Sequence, residues 1–411
     1  MKIGQWRRST LAAIAVAATL VSITACSTGT AGSTTSSSAG PITIGMSLPL
    51  TGPVADVALG GYRGYQQWAA DVNANGGLLG RKVQLKVLDD GFSESAVVTN
   101  YTKLISQDKV DLLLGTFSSL LNGPASAVAA RQNMVYVEPS GGNEALFTRG
   151  FSNLFFAQPA TTATLPDQFV AYIKSLSADE RPKTAAYLAQ DDPATSPAVD
   201  SFRQKLQALG IKTTYKDVYA PDTSSFDPIA SAVVQGNPDL IIHGALADDG
   251  ISFIRSLQKL NFSPKFLFQT GTPSGPGFSE GIGASNTEAI FTAVGWSPDA
   301  AYPGNAKFVA AYTKRFGSAP SEDAANSYTA GQVLAAAVKG VGSIASQKAL
   351  SSWLHSHTAD TIVGPLKWDK TGVPLGTLLL GQWQQGKLEI VRPKLAATSK
   401  TVVFPKPAWQ G

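Results

Sequence analysis

Two short turns hold the residues best suited to gripping a small molecule. In Lys109–Leu121 (KVDLLLGTFSSLL) an apolar run, Val110 and Leu112 to Leu114, stops at Gly115 and leads into Thr116, Phe117, Ser118 and Ser119. The run suits a strand buried on both faces of a parallel sheet, and the serines open what reads as a helix. A serine there can cap the helix, and the free N–H groups of a first turn attract a carboxylate or carbonyl oxygen. An ordinary Ser-capped helix that binds nothing has the same spelling. The second turn, Glu138–Gly142 (EPSGG), follows the strand Met134–Val137 and again precedes a short helix, Asn143–Leu146. Ligands of open α/β sheets settle at the carboxyl ends of strands, where strand order reverses. Two successive small, polar turns would lie side by side there.

Chemistry that transforms a ligand is not spelled out. No nucleophile elbow of the G-x-S-x-G kind is read. The three histidines are His243, His355 and His357, and the last two, being two apart on a predicted helix, point to different sides and make no zinc pair. Nothing places a serine, a base and an orienting group together. The expectation is a protein without catalysis, cofactor or metal. The GGLLG string at Gly76–Gly80 follows a helix instead of a strand, so it reads as a turn and not a dinucleotide loop.

The elements that must position these turns are numerous. A chain of 411 residues, 44% hydrophobic and 15% charged, has material for two cores. Its first 25 residues read as an export signal: Lys2, Arg7 and Arg8 precede the apolar stretch Leu11–Ile23, which at 13 residues is shorter than the roughly 20 a membrane span needs. Ile23-Thr24-Ala25-Cys26 resembles a bacterial lipobox, which makes Cys26, the only cysteine, a lipidation site. Residues 26–40 then form a polar, low-complexity tether that spans roughly 20 Å as a random coil. Without Lys2, Arg7 and Arg8 the charges balance at 30 basic against 29 acidic residues, and nothing recommends a nucleic-acid partner.

From Ile42 onward, strands and helices alternate. Ile42–Leu50, Val83–Leu88, Val110–Gly115 and Met134–Val137 read as strands separated by helices, and Phe155–Thr162 reads as a crossing segment. The rhythm repeats with strands at Thr184–Ala189, Thr213–Tyr219, Leu240–Gly244, Lys265–Gln269 and Ala289–Val294. Two helices follow at Asn305–Phe316 and Ser327–Val341, then a terminal strand group at Gly364–Trp368, Thr377–Trp383 and Leu388–Arg392. The pattern is that of doubly wound parallel sheets.

In order and spacing, four segments of the chain resemble the substrate-binding proteins of ABC importers, in the branch that includes branched-chain amino acid, amide and urea binders. They are ITIGMSLPLTGPVADVALGGYRGYQQWAADVNANGGLLGRKVQL, the pair VDLLLGTFSS and VEPSGGNEALF, FVAAYTKRFGSAPSEDAANSYTAGQVLAAAV, and VGPLKWDKTG. The resemblance runs from about Ile42 to Arg392 and implies two α/β lobes joined by a three-crossing hinge, with the ligand held between them. The crossings are expected near 156–161, 294–297 and 362–364, giving one lobe of 41–158 plus 296–362 and another of 159–295 plus 363–411. It also implies a small-molecule ligand, a permease with its ATPase subunits as partners, a monomer, and a place on the outer face of the cell membrane.

Carried over residue by residue, the resemblance assigns Phe117 with Ser118 or Ser119 to a ligand oxygen, and Ser140, Gly141 and Gly142 to the second contact. The threonine usual at the position of Gly142 is missing. Asp249, beside Asp248, falls where amino acid binders pair the ligand's ammonium. An ammonium taken out of water needs a charged partner, although the two aspartates could equally form a solvated helix start. Thr195 and Val57 stand where aromatic walls are usual, and Trp296 is placed at the second crossing, facing the cleft or packed in the core. Tyr328 reads as a core residue. A ligand sensor of the same fold, signalling to a membrane partner, would share this whole pattern.

Overall fold

At Ile42–Leu48 (β1), β-branched and other apolar residues leave every position but Thr43 buried, the mark of a strand covered on both faces. A computed structural model describes residues 40–410 apart from 53, 192–194, 221, 246–247 and 275–276. The expected signal segment, Cys26 and all but the last residue of the tether lie outside the described residues.

β1 lies between β2 (Val83–Asp89) and β3 (Leu112–Leu114), and β4 (Tyr136–Glu138) and β5 (Leu154–Phe156) complete a sheet of order β2-β1-β3-β4-β5, parallel throughout. Strand order reverses between β1 and β3. Helices α1 (Ala55–Ala74), α2 (Glu94–Ser106) and α3 (Ser118–Arg131) connect these strands. Tyr65 and Trp68 of α1 pack on one face of the sheet, whereas Val97 and Tyr101 of α2 with Leu121 of α3 cover the other.

The second lobe repeats the design. Helix α4 (Asp167–Ser175) leads into β6 (Thr184–Gln190), α5 (Thr195–Gln207), β7 (Lys212–Tyr219), α6 (Asp227–Gln235), β8 (Leu240–Gly244), α7 (Asp248–Lys259), β9 (Phe266–Gln269), α8 (Phe278–Ile282) and β10 (Ile290–Val294). The chain then returns to the first lobe as α9 (Asn305–Phe316), α10 (Glu322–Val341) and α11 (Gln347–Ser356), followed by a hairpin of β11 (Ala359–Thr361) and β12 (Gly364–Leu366). It ends with β13 (Leu379–Gln384) and β14 (Lys387–Arg392), antiparallel additions that bring the second sheet to β14-β13-β10-β9-β8-β6-β7.

Three differences from the sequence reading have physical causes. Phe155 and Phe156 belong to β5, a fifth parallel strand, and the first crossing starts only after them. Gly364–Leu366 pairs with β11 and not with the terminal strands. The third crossing also moves beyond the expected 362–364. Ile362, Val363, Leu366 and Trp368 are buried in the first lobe's core, and the Trp368 indole donates to the carbonyl of Phe156 at 2.7 Å. Gly372 (φ +87°) then lies so close to β5 that a Cβ would meet the Leu154 oxygen at 1.8 Å, so only glycine fits. The chain leaves this lobe between residues 373 and 379.

The three crossings touch one another. An added Cβ on Gly376 would come within 2.7 Å of the Pro159 oxygen, and Gln168 donates to the Thr377 hydroxyl at 2.8 Å. An added Cβ on Gly295 would lie 3.3 Å from Gln158 Oε1 and 2.7 Å from Glu322 Oε1.

Candidate functional site

The two polar turns do lie side by side at the strand ends of the first lobe. Gly115 lets β3 run close against β4, since a Cβ there would sit 2.5 Å from the Glu138 Cα. Asn122 of α3 organises the first turn: its Oδ1 accepts from Thr116 N and the Tyr136 hydroxyl, and its Nδ2 donates to the carbonyls of Thr116 and Ser118. Phe117 is the extended residue before the helix, and Ser118 is left-handed at φ +63°. The helix therefore starts without the expected serine cap.

Ser118 N donates to Ser140 Oγ at 3.0 Å, and that hydroxyl donates on to the Thr116 carbonyl at 3.3 Å. Ser119 Oγ accepts from Asn143 N at 3.2 Å. The two turns are thus laced into one wall. The Ser118 hydroxyl is buried and has no partner.

Glu138 holds the second turn from behind. Its Oε2 accepts from Ser140 N at 2.9 Å and Gly141 N at 2.6 Å, while Oε1 is unpartnered. Burial pushes its carboxyl up to about 8, against the pull of the two N–H donors. Gly141 is buried beneath the wall, with room for no side chain: a Cβ would meet Glu138 Oε1 and Leu146 Cδ1 at 2.8 Å.

Phe117, Ser118, Ser119, Ser140 and Gly142 line a cleft of about 540 Å³. Its other boundaries come from the first crossing (Gln158, Thr161, Thr162, Leu165), from Leu378 at the third, and from Asp323 near the start of α10. Glu144 fastens the first crossing to the second turn, accepting from the Thr162 hydroxyl at 3.0 Å and from Ala163 N at 2.6 Å.

The remaining expected contacts lie elsewhere. Trp296 is 5% exposed, packs edge-on against Phe308, and donates its indole N–H to Asn305 Oδ1 at 2.7 Å, so it is a core residue and not a cleft wall. Thr195 is buried at the start of α5 and donates to the Gln190 carbonyl at 2.8 Å. Asp249 is half-buried in the second lobe, where its Oδ2 accepts from the Tyr219 hydroxyl at 2.6 Å. Tyr219 meets His243 Nε2 at 2.8 Å, and Gln269 Nε2 meets His243 Nδ1 at 3.0 Å. Because the Tyr219 hydroxyl donates to Asp249 and Gln269 Nε2 donates to Nδ1, the imidazole proton is assigned to Nε2, which donates to the Tyr219 oxygen. Burial lowers His243 to about 4, although the negative charge of Asp249 pulls it upward. Thr195 and Asp249 do not line the 540 Å³ cleft. Tyr328 is half-buried at the edge of the first lobe's core, where it packs on Phe308 and donates to Asp71 Oδ2 at 2.9 Å. The side chain of Asp248 lies outside the described residues.

Sequence reasoning placed Glu138 in the second turn without giving it a role, and missed Asn122 and Asp323. It also missed a G-x-S-x-G string, Gly277–Gly281. That string is no elbow, because Ser279 sits inside the five-residue α8 and well past the end of β9. Among the described residues, no group of three or more His, Cys, Asp or Glu could hold a metal ion, and no helix is long and apolar enough to cross a membrane.

Comparison with known proteins bears on the fold and the family. An amino acid binding protein of Pseudomonas aeruginosa is 25% identical over 334 residues, covering 80% of this chain and 87% of that one. The branched-chain amino acid transporter substrate binding protein of Streptococcus pneumoniae, solved with isoleucine, superposes with a TM-score of 0.70 at 18% identity over 86% of this chain and all of that one. An ABC transporter solute binding protein from R. palustris, solved with benzoate, gives 0.69 at 21% identity over 90% of this chain and 98% of that one. The fold is that of a type I periplasmic binding protein. A model described as periplasmic binding protein matches residues 41–387, and the chain, with its paired sheets and strand-end cleft, belongs to that family.

Proposed function

We propose that this protein is an exported, lipid-anchored solute-binding protein that captures a small polar ligand between two lobes and delivers it to the permease and ATPase subunits of an ABC importer. The ligand class is an amino acid, an amide or a related carboxylate, in keeping with relatives described as amino acid and Leu/Ile/Val binding and with neighbours solved with isoleucine and benzoate. The observation that carries the reading is the 540 Å³ cleft, bounded by the laced turns of one lobe and by two of the crossings. Phe117, Ser118, Ser119, Ser140 and Gly142 are the first-lobe contacts, and closure of the hinge adds those of the second. Lipidation at Cys26 would keep the protein at the membrane face where its permease sits.

A thermal-shift screen across amino acids, amides, urea and aromatic acids tests the proposal, since a ligand that binds only the folded state raises its melting temperature. Scattering with the best hit should show compaction. A screen without hits, or a tight ligand that leaves the radius unchanged, would count against hinged capture.

A further inference from the structure

Off the first-lobe wall the cleft continues into a recess with room for the centre of one water-sized group, about 10 Å³. Phe117, Ser140 and Asp323 line both spaces, so the recess opens from the cleft. Its far side is formed by Val57 of α1 and by Asn326, one turn beyond Asp323 on the same face of α10.

The polar side chains of the recess are Asp323, Asn326 and the hydroxyls of Thr116, Ser140 and Ser327. Asn326 is 3% exposed and its Oδ1 has no hydrogen-bond partner. The Ser118 hydroxyl on the adjoining cleft wall is likewise buried and unpartnered. Asp323 is the one ionisable side chain lining either space among the described residues, and neither lining includes a lysine or arginine. Its place in the first turn of α10 accounts for an acidic residue there. It does not account for a buried amide oxygen one turn later with nothing to accept from.

We propose that Asp323 and Asn326 form the subsite for a protonated primary amine of the ligand, so that the first lobe holds its cationic end. The proposal rests on the solute-binding reading and narrows it to amine-bearing ligands. An ammonium is the size of the recess, carries three N–H donors and no acceptor, and brings the charge that Asp323 lacks once the cleft closes over it. A carboxylate placed there would meet a like charge and an unpaired amide oxygen. Burial already holds the Asp323 carboxyl up at about 6, the condition of a desolvated acid that gains most from a cation beside it. Asp249, the acid expected from sequence to take this role, is instead joined to Tyr219 in the second lobe.

Calorimetric titration of the mature protein with neutral L-amino acids, each paired with the carboxylic acid lacking its amino group, tests the assignment. The expected result is that Asp323→Asn weakens the best amino acid at least tenfold and leaves its deaminated partner within about threefold. Asn326→Ala should weaken the amino acid several-fold with the same selectivity, and it stands in if the Asp323 variant does not fold. Asp249→Asn should change both probes alike. The subsite is overturned if both α10 variants keep the wild-type preference for the amine, or if Asp249→Asn alone abolishes it. Wild-type protein that binds only deaminated acids also overturns it, while leaving solute binding intact. Wild-type protein that binds no member of the panel removes both.

Discussion

The backbone N–H of Ser118 is bonded to the hydroxyl of Ser140, 22 residues later, at 3.0 Å. That one contact joins the turn after β3 to the turn after β4 and sets the shape of the wall. Ser140→Ala removes the acceptor of Ser118 N and the donor to Thr116 O together. We expect a loss of about 1–3 kcal/mol in stability, read from urea denaturation, and at least tenfold weaker binding of the best ligand from the screen.

Glu138 gives stability a pH dependence of definite sign. Its folded value, about 8, lies above the ordinary carboxyl range. The contribution is therefore full below that range, declines as pH rises, and reaches its floor above about 8. Glu322, raised to about 7 by burial, acts in the same direction. Glu138→Gln keeps an acceptor for Ser140 N and Gly141 N but cannot ionise. The urea midpoint of the variant relative to wild type should rise between pH 5 and pH 8. A difference that stays constant over that interval would show that Glu138 titrates normally.

Trp296 should matter for folding and not for the ligand. Trp296→Ala opens a cavity beside Phe308 and strands Asn305, for a cost of about 3–5 kcal/mol. Trp296→Phe should keep ligand affinity within about threefold. Selective loss of binding in the Phe variant, with melting unchanged, would return the residue to the cleft.

Cys26→Ala tests the anchor. The wild-type protein should fractionate with membranes and carry the mass of a lipid at its mature N-terminus. The variant should be released, or be retained only through its uncleaved signal segment. Equal fractionation with no added lipid mass on wild type would end the lipoprotein reading.

What the chain disclosed depended on whether the determining contacts were local. The apolar run before Gly115 and the small polar turn after it were enough to place β3, the start of α3 and the wall between them. The capping hydroxyl was wrong because Ser118 adopts a left-handed backbone, set by Asn122 and by Ser140 on the next turn. Asp323 passed unnoticed because Ser-Glu-Asp spells an ordinary helix start, with Ser321 indeed accepting from Ala324 N. Only α10 packing beside the β3 and β4 turns turns that acid toward a cavity. Trp296 reads alike in a hinge or a core until Asn305, nine residues on, folds back to take its N–H.

The glycine at 372, pressed on the Leu154 carbonyl, has a mechanical corollary. Together with the Trp368 indole it clamps the late hairpin to the fifth strand, so that hairpin rides with the first lobe through any swing. The free length of the last passage shrinks to the few residues before Leu379, where Gly376 and Thr377 are already braced against Pro159 and Gln168. Three passages in mutual contact leave little room for any one of them to shear or wobble separately.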